Sequence, residues 1–437
     1  MRPLSILVAA VLAAAACGGG RTEPCAAPAP RSAVARPSSC RPVAPGELAR
    51  ALAAAAPGTT LCLAAGAHDG PFAIPAGVSV WGPPEARLRA PRSAVVVDLV
   101  GAGARLLGVT VDAGTGGHSE DAAVRVRADD VAVVGVAVEA SVHGILVERA
   151  RRVHIVGNRV RGSAAPAMGL RGDTIRLWET RDSTVADNRV EDGRDLVVWY
   201  SSNNRIANNR VTRGRYGTHL MYSHDNRVER NRYDATSVGV FVMYSRRVVL
   251  RGNVTTATGG AAGMAFGFKD SGDVTVADNL VVRAATGLYL DNSPVDAADR
   301  VEVTGNGFVQ CGGAVVFHGG AHRTTFRGND IVDAATPLRQ DGGGEVVGVI
   351  WDGNYFDDYA GYDLDGDGTG DIPYQERSTE EELTSRHPQL AFFRGTAALG
   401  AAGAAATLVP LFEPRTLLVD RRPRMRGRDL EGLARAD

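Results

Sequence analysis

A histidine and two methionines occupy related positions in two neighbouring repeats of this sequence. His219 and Met221 lie two residues apart, and Met243 takes the place of Met221 in the following repeat. Residues two apart on a β-strand share a face, and equivalent residues of stacked strands lie about 4.8 Å apart. Imidazole and thioether groups are suitable donors for the soft ion Cu(I). The pattern therefore predicts a copper site at these residues, or alternatively a methionine surface that adapts to a protein partner.

An acidic segment near the C-terminus forms a second candidate metal site. Positions 1, 3, 5 and 9 of an EF-hand-like loop are occupied by Asp363, Asp365, Asp367 and Asp371. Gly368 stands at position 6, and carboxylate oxygens with a turn glycine suit Ca²⁺. Position 12 is Tyr374 instead of the bidentate glutamate, so the loop is not a complete EF-hand. We predict a structural calcium site, with a plain acidic turn as the alternative.

The elements that must position these residues are short β-strands repeated every two dozen residues or so. An asparagine recurs beside Val-rich runs, at Asn158, Asn188, Asn209, Asn231, Asn253, Asn279, Asn306, Asn329 and Asn354. Asparagine tolerates the left-handed conformation of a tight turn, and stacked copies can form a ladder. Each repeat is then one coil of a solenoid. We predict an all-β chain with a single right-handed parallel β-helix of about eleven coils and short capping helix and tail segments.

Alignment of the coils predicts one outward wall. Its main column reads Trp178, Trp199, Met221, Met243, Lys269 and Asp291, and a flanking column reads Arg176, Val197, His219, Phe241, Gly267 and Tyr289. A large apolar patch on a solvent-facing strand surface usually marks a binding site. We predict partner contacts at Trp178, Trp199, Phe241, Lys269, Tyr289 and Asp291, unless a loop or the C-terminal tail covers the wall. Tyr200, Tyr222 and Tyr244 have inward parity but are expected to form a structural stack at a corner.

The same wall carries the groups that an enzyme would need. Lys269, Asp270 and Asp291 fall on adjacent coils, and parallel β-helices are common among polysaccharide lyases and uronate epimerases. We favour a solvated ion pair between Lys269 and Asp291. His143, His154, His219 and His318 are expected to lie in different coils without a carboxylate beside them. We therefore expect no enzymatic activity, with a carbohydrate-active enzyme or sugar-binding module as the alternative.

The N-terminus carries an export signal. Residues 1–16 combine Arg2 with an apolar run that is too short for a typical membrane span, which predicts a signal peptide. Small residues before Cys17 resemble a lipobox, so we expect a lipid on Cys17 that tethers the chain to a membrane. The alternative is plain cleavage into the periplasm.

Four cysteines remain once Cys17 is assigned to lipid: Cys25, Cys40, Cys62 and Cys311. An oxidising compartment permits disulfides, and we favour the pair Cys40 and Cys62. The alternative is that these cysteines are free or buried thiols.

Composition divides the chain into five segments. After the signal peptide, we expect a flexible linker over residues 17–45, β-helix repeats over 46–356, the acidic loop over 357–375, and a C-terminal capping and tail segment over 376–437. A helix at 46–56 is expected to cap the first coil, and a polar helix is expected at 376–390. The Ala/Gly-rich stretch at 395–409 either caps the last coil or lies against a membrane partner. The net charge of −1 indicates no nucleic-acid partner.

Several of these segments resemble the NosD family. The resemblance rests on the runs Gly193–Ser201, Arg215–Ser223, Gly239–Ser245, Phe268–Ser271 and Gly287–Pro294, on Gly353–Tyr359 and Gly361–Tyr374, and on Phe412–Pro414 and Val419–Pro423. It implies a periplasmic β-helix protein required for maturation of nitrous oxide reductase.

The family works with an ABC transporter whose ATPase and membrane subunits are separate proteins, and with a copper-chaperone lipoprotein. Together they support assembly of the copper–sulfide centre of nitrous oxide reductase. This sequence has no phosphate-binding loop, which places ATP hydrolysis in another subunit. A lipid anchor would be a departure from the family.

Overall fold

A computed structural model of the chain describes residues 34–90, 95–114, 121–139, 143–260, 262–341, 346, 348–378, 383–384, 387–393, 396–408 and 415–430. The predicted signal peptide, Cys17, Cys25 and the first half of the predicted linker lie outside these residues. Three long sheets run the length of the molecule, and most coils contribute one strand to each sheet. The predicted parallel β-helix is therefore confirmed. It has about thirteen turns, two more than the count of about eleven made from the sequence.

Sheet 1 has 16 strands. In spatial order they are Arg41–Val43, Thr60–Leu63, Ser79–Trp81, Arg105–Leu107, Ala132–Val134, His154–Val156, Thr184–Ala186, Arg205–Ala207, Arg227–Glu229, Val249–Arg251, Val274–Ala277, Val301–Thr304, Thr324–Arg327, Ile350–Asp352, Arg415–Asp420 and Tyr374–Ser378. All neighbours are parallel except the last two strands, which are antiparallel.

Sheet 2 has 12 strands and carries the predicted outward wall. Its strands are Phe72–Ile74, Val97–Leu99, Ala122–Val126, His143–Glu148, Ile175–Trp178, Asp195–Trp199, Tyr216–Met221, Val238–Met243, Met264–Lys269, Thr286–Asp291, Gly313–His318 and Thr336–Asp341.

Sheet 3 has 13 strands. Its strands are Gly66–Asp69, Ala86–Arg89, Thr110–Asp112, Ala137–Glu139, Arg159–Arg161, Arg189–Glu191, Arg210–Thr212, Arg232–Asp234, Val254–Thr258, Leu280–Ala284, Gly307–Val309, Asp330–Val332 and Tyr355–Phe356.

The interior of the coils is apolar. Alternating residues of sheet 2 point inward and are fully or almost fully buried, as predicted for Leu177, Val198, Leu220, Val242, Phe268 and Leu290. The one polar residue in the neighbouring inward column, Thr218, is satisfied by a 2.9 Å hydrogen bond to the Tyr233 hydroxyl. Burial of apolar area along the whole length is the main stabilising term of such a stack.

A ladder of nine buried asparagines holds the coils in register. In each rung the side-chain Oδ1 of one asparagine accepts from the backbone N and the Nδ2 of the asparagine one coil earlier, as Asn209 does from Asn188 at 3.1 and 2.9 Å. The Nδ2 group also donates to a backbone carbonyl of an earlier coil. The side-chain N–H groups of these asparagines are thereby satisfied, which an apolar residue at this corner would prevent.

The N-terminal end is capped by a helix and a disulfide. The α-helix Leu48–Ala53 buries Leu48, Ala51 and Leu52 against the first coil, as the sequence predicts. Cys40 and Cys62, the favoured pair, form a disulfide with their Cα atoms 5.7 Å apart. The predicted linker ends earlier than expected, because Arg41–Val43 pairs with Thr60–Leu63 as the first strand of sheet 1.

The C-terminal end is closed by the chain folding back on the solenoid. Tyr374–Ser378 is a strand antiparallel to Arg415–Asp420, so the polar helix predicted from residue 376 is wrong at its start. Beyond it lie a 3₁₀ helix at Pro388–Phe393 and an α-helix at Ala397–Leu408. Within the described residues, no helix is both long and apolar enough to cross a membrane.

Candidate functional site

The predicted columns are in register on the outer surface of sheet 2. Trp178, Trp199, Met221, Met243, Lys269 and Asp291 pair strand by strand in that order. The flanking column of Arg176, Val197, His219, Phe241, Gly267 and Tyr289 is in the same register. We call these two columns the outer wall. Its Trp, Met, Phe and Tyr side chains are half-buried, because neighbouring coils cover part of each one.

His219 is the most enclosed functional group of the outer wall. Its ring lies 4.6 Å from the Tyr216 ring, 5.5 Å from the Trp199 ring and 6.3 Å from the Phe241 ring, measured between centroids. These aromatic side chains leave His219 only 6% exposed, although it lies in the outward column predicted for it. Strand alternation sets the outward direction of the side chain, but the size of its neighbours decides its exposure.

A soft pair of donor atoms stands at the centre of this enclosure. The Nε2 atom of His219 lies 3.4 Å from the Sδ atom of Met243, on the next coil. Nitrogen and sulfur ligands of one tetrahedral ion lie about 3.5 Å apart at ordinary bond lengths. Met221 is paired in register with Met243. The structure thus brings the predicted trio to one place, with His219 and Met243 in contact.

Two polar atoms at this place have no hydrogen-bond partner. His219 Nδ1 and Trp199 Nε1 are both buried and unsatisfied within the described residues. A buried polar group without a partner is costly and calls for an explanation. An ion at His219 Nε2 would leave Nδ1 with the ring proton, so these two unsatisfied atoms do not by themselves argue for a metal.

Burial also sets the charge of the histidine. Desolvation lowers the pKa of His219 from 6.5 to about 4, opposed in part by the negative charge of Asp195 and assisted by Arg215. The imidazole is therefore neutral at neutral pH, which is the form that binds metal ions.

The tryptophans of the outer wall enclose an arginine. The Arg176 guanidinium lies 4.9 Å from the Trp178 ring and 5.3 Å from the Trp199 ring, within cation–π range. The two indoles meet edge to face at 6.0 Å. These contacts hold the two indoles and the guanidinium against one another.

Buried charges lie behind the outer wall at the start of the sheet 2 strands. Asp195 is paired with Arg215, and its Oδ1 also accepts from the backbone N of Tyr216 at 3.1 Å. Asp173 accepts from Arg194 at 2.9 Å, and desolvation raises the pKa of its carboxyl group. This network fixes the strand ends that carry the aromatic residues around His219.

The expectation that no histidine has a carboxylate beside it is wrong for His143. Its Nδ1 lies 3.9 Å from Asp173 Oδ2 and 3.2 Å from the Asp173 backbone N. The two residues are 30 positions apart but one coil apart, so the insertion between these coils conceals their proximity in the sequence. Asp173 is fully buried and has no access to a substrate.

Lys269 and Asp291 form an ion pair on the outer wall. Lys269 Nζ lies 2.7 Å from Asp291 Oδ2 and 3.6 Å from Asp270 Oδ2. The hydrogen bond to Asp291 raises the pKa of Lys269. A protonated lysine held by two carboxylates is a poor general base, so the geometry favours the ion pair over catalysis.

The corner beside the outer wall carries the predicted tyrosine stack. Tyr200 and Tyr222 stack at 5.3 Å, and Tyr222 and Tyr244 at 4.8 Å. All three have a left-handed backbone, with φ near +50°. This turn reverses the inward parity of the strand, so the rings face outward and Tyr200 and Tyr222 are more than 40% exposed.

Three carboxylates of the acidic loop converge. Ligand atoms of Asp363, Asp365 and Asp367 lie within 4.8 Å of one another. Asp371 is not in this group, and its carboxylate accepts from the backbone N of Leu364 at 2.7 Å. Backbone N–H groups of Gly366 and Gly368 also donate to Asp363 and lower its pKa. The calcium site stays a prediction, because turn hydrogen bonds alone account for this arrangement.

The sequence alignment did not identify two residues of the site. Tyr216 and Met264 lie in a third outward column of sheet 2. A β-bulge between Asp195 and Val197 shifts the register, so the outward residues Tyr216 and His219 are three positions apart instead of two. An alignment extended toward the strand starts would have identified Met264. Tyr216 could not be identified in this way, because the strict alternation of strand residues does not reveal a β-bulge.

Fold and surface together define a parallel β-solenoid protein with an aromatic, methionine-bearing wall. The sequence model of the family described as "Periplasmic copper-binding protein (NosD)" matches residues 152–361. This segment contains the outer wall, and the resemblance to the NosD family seen in the sequence is confirmed over it. No curated protein shows significant similarity to the chain.

Among solved structures, a glucanase supports the fold, and two further proteins show weaker similarity. The catalytic unit of a thermostable GH87 α-1,3-glucanase from Streptomyces thermodiastaticus is 13% identical, with a TM-score of 0.53 over 75% of this chain and 70% of that one. The surface adhesin PfbA of Streptococcus pneumoniae is 12% identical, with a TM-score of 0.47 over 67% and 86% of the two chains. The A-module of the mannuronan C-5 epimerase AlgE6 of Azotobacter vinelandii is 13% identical, with a TM-score of 0.45 over 70% and 93%. At such identities only the fold is shared.

Proposed function

We propose that this chain is a periplasmic accessory protein of an ABC-transporter system and is required for assembly of the copper–sulfide centre of nitrous oxide reductase. The observation that carries the proposal is the contact of His219 with Met243, 3.4 Å apart, inside an aromatic enclosure on the outer wall. The family is described as periplasmic and copper-binding. A soft donor pair on a docking surface fits that description.

Cu(I) is the cargo in this proposal. His219 Nε2 and the sulfur atoms of Met243 and Met221 would hold it, since imidazole and thioether are neutral, soft ligands. Partial exposure of the two methionines leaves one side of the ion open to a partner. A site of this kind binds copper for a short time and passes it on.

The remaining outer-wall residues dock the partners. Trp178, Trp199, Phe241 and Tyr289 supply apolar area, and Lys269 with Asp291 supplies a polar rim. Interfaces commonly combine an aromatic centre with such a rim. We propose contacts with the membrane subunit of the transporter, which works with its own ATPase, and with a copper-chaperone lipoprotein and nitrous oxide reductase.

Attachment and a structural ion complete the proposal. A lipid on Cys17 would keep the chain at a membrane, with residues after it as the tether. Calcium at Asp363, Asp365 and Asp367 would stabilise the acidic loop, because it would neutralise three clustered carboxylates.

Cu(I) titration against a competing chelator tests the ligand proposal. The triple variant His219→Ala, Met221→Ala, Met243→Ala should bind at least tenfold more weakly than the unaltered mature chain. The matched control removes a histidine and a methionine elsewhere, by His154→Ala on the outer surface of sheet 1 and Met425→Ala near the C-terminus. Equal affinity of triple variant and parent would eliminate copper binding at the outer wall.

Docking is tested separately in cells. Trp178→Ala with Trp199→Ala should lower the copper content of nitrous oxide reductase, whereas Ile350→Ala, at an exposed position of sheet 1, should leave it unchanged. Full copper content in the tryptophan variant would refute docking at the outer wall.

The carbohydrate-active alternative predicts different neighbours. Genes for an ABC ATPase, a membrane subunit and a copper reductase beside this one would argue against it. Genes for polysaccharide export or degradation would argue against the maturation function.

A further inference from the structure

A cavity of about 390 Å³ opens on the outer surface of sheet 2, at the end of the outer wall that is nearer the N-terminus. It is bordered by three successive strands, Ala122–Val126, His143–Glu148 and Ile175–Trp178. Its lining includes one tryptophan and five polar or charged side chains: Arg127, His143, Glu148, Arg149, Arg176 and Trp178. The volume lies in the range of small-ligand sites, roughly 300–1,000 Å³.

Two arginines of the cavity already have carboxylate partners. Arg127 Nη2 lies 2.6 Å from Asp98 Oδ2, an atom that Arg125 also contacts at 2.6 Å. Arg149 Nε lies 3.1 Å from Glu179 Oε2. The guanidinium groups of Arg127 and Arg149 therefore have acceptors within the protein itself, and they need none from a ligand.

The guanidinium group of Arg176 has no hydrogen-bond acceptor among the described residues. It lies beside the rings of Trp178 and Trp199, but cation–π contacts supply no acceptor atom. Its Nη1 atom is 3.9 Å from Asp173 Oδ2, which is too long for a hydrogen bond, and the other oxygen of that carboxylate accepts from Arg194. The Nε atom of Arg176 is buried and unpartnered. The N–H groups of Arg176 are therefore available to a ligand.

Glu148 is the second charged group of the cavity without a close partner. Its side chain is half-buried, and its carboxylate forms no hydrogen bond or ion pair with the described part of the chain. Glu148 is in register with Trp178, and Leu146 is in register with Arg176, so Glu148 and Arg176 are diagonal neighbours on adjacent strands. Their backbones are then roughly 8 Å apart, from about 4.8 Å between strands and about 6.6 Å along two residues. The two opposite charges line one cavity without forming an ion pair.

This arrangement is complementary to a zwitterion. The carboxylate of a ligand can accept two hydrogen bonds from one guanidinium group, and an ammonium group can donate to Glu148. Trp178 and Leu146, which is only 4% exposed, supply apolar surface beside these charges. A ligand with a single charge would leave the other charged group without a partner in a half-enclosed site, which is costly.

We propose that this cavity binds a free α-amino acid, with its carboxylate on Arg176, its ammonium group on Glu148 and an apolar side chain against Trp178 and Leu146. The terminus of a partner protein carries only one of the two charges, so it fits less well than a free amino acid. The site goes beyond the proposed function, since none of the three proposed copper ligands lines the cavity.

Thermal denaturation of the copper-free mature chain, with each standard amino acid added in turn, identifies the ligand. At least one amino acid with an apolar side chain should raise the melting temperature, because a ligand that binds only the folded chain stabilises it. Isothermal titration calorimetry then compares this amino acid with its N-acetyl derivative, which lacks the ammonium charge, and with its amide, which lacks the carboxylate charge. Both derivatives should bind at least tenfold more weakly.

Substitutions in the cavity assign each charge to its partner. Glu148→Gln should bind the amino acid at least tenfold more weakly and leave the affinity for the N-acetyl derivative unchanged. Arg176→Gln should bind the amino acid at least tenfold more weakly and leave the affinity for the amide unchanged. The matched controls, Glu302→Gln and Arg105→Gln at exposed positions of sheet 1, should bind as the parent does. A folding defect would instead weaken the binding of all three ligands alike.

Three outcomes would overturn the proposal: no rise of the melting temperature with any apolar amino acid, equal affinity of the parent for the amino acid and for either derivative, or parental affinity for the amino acid in Glu148→Gln or Arg176→Gln. No copper and no partner protein is present in these measurements. Their failure is therefore distinguishable from a failure of the proposed function.

Discussion

Asp420 terminates the asparagine ladder, and its removal should loosen the last coil. Its Oδ2 accepts from the backbone N and the Nδ2 of Asn354, both at 2.8 Å, while its Oδ1 accepts from the backbone N of Gly353 and of Arg422. The carboxylate is fully buried. Asparagine has one acceptor atom and one donor group in its side chain, so it could not accept all four of these hydrogen bonds, whereas a carboxylate can.

The number of lost acceptors sets the expected cost. Asp420→Ala leaves four N–H donors without a partner, and at about 1 kcal/mol each the last coil loses about 4 kcal/mol. Asp420→Asn keeps one oxygen and places an NH₂ group against the other two donors, so we expect about 2 kcal/mol. Since 1.4 kcal/mol is a tenfold change in an equilibrium constant, amide hydrogen exchange in the last coil should accelerate about 10³-fold and about 30-fold respectively.

Hydrogen exchange of the peptide that covers Ile350–Phe356 measures this effect locally, which suits a solenoid whose ends open before its middle. Glu302→Ala, at an exposed position of sheet 1, is the control and should leave the exchange unchanged. Unchanged exchange in Asp420→Ala would show that the ladder does not depend on its terminator. Equal acceleration in the Ala and Asn variants would show that the number of acceptors is not the cause.

Three further predictions concern single residues. NMR titration should find the His219 imidazole with a pKa of about 4. As the pH falls, the unfolded chain takes up this proton before the folded chain does, so protonation favours unfolding. The free energy of unfolding should therefore decrease by up to about 3 kcal/mol between pH 6.5 and pH 4, with no further loss from this residue below pH 4. A normal pKa near 6.5 would show that His219 is accessible to water. Arg428→Ala should lower the free energy of unfolding of the C-terminal end by about 3 kcal/mol in denaturant titration, since it removes one of the guanidinium groups that neutralise the fully buried carboxylate of Asp330; a loss below 0.5 kcal/mol would contradict this. Cys40→Ser should lower the melting temperature as much as reduction of the parent chain does. The disulfide to Cys62 closes a loop of 22 residues, and such a cross-link stabilises the folded chain by about 3 kcal/mol. An unchanged melting temperature would indicate that the helix cap alone holds the first coil.

The repeat could be predicted from the sequence because it is local. Asn209 and its equivalents recur at a regular spacing, and a strand alternates with a period of two, so the stack, its register and its outward columns follow from counting. The meeting of His219, Met221 and Met243 on one surface was therefore predictable, as was the pairing of Cys40 with Cys62.

The features that only the tertiary structure decides depend on side-chain volume and on irregular backbone. Nothing in the sequence shows that Trp199, Tyr216 and Phe241 enclose His219, because enclosure depends on the directions in which large rings pack across coils. A bulge placed Tyr216 on that surface, and left-handed turns moved Tyr200 and Tyr222 outward. Counting residues determines which strands are neighbours; packing determines which groups are buried, and burial is what sets the charge and reactivity of the site.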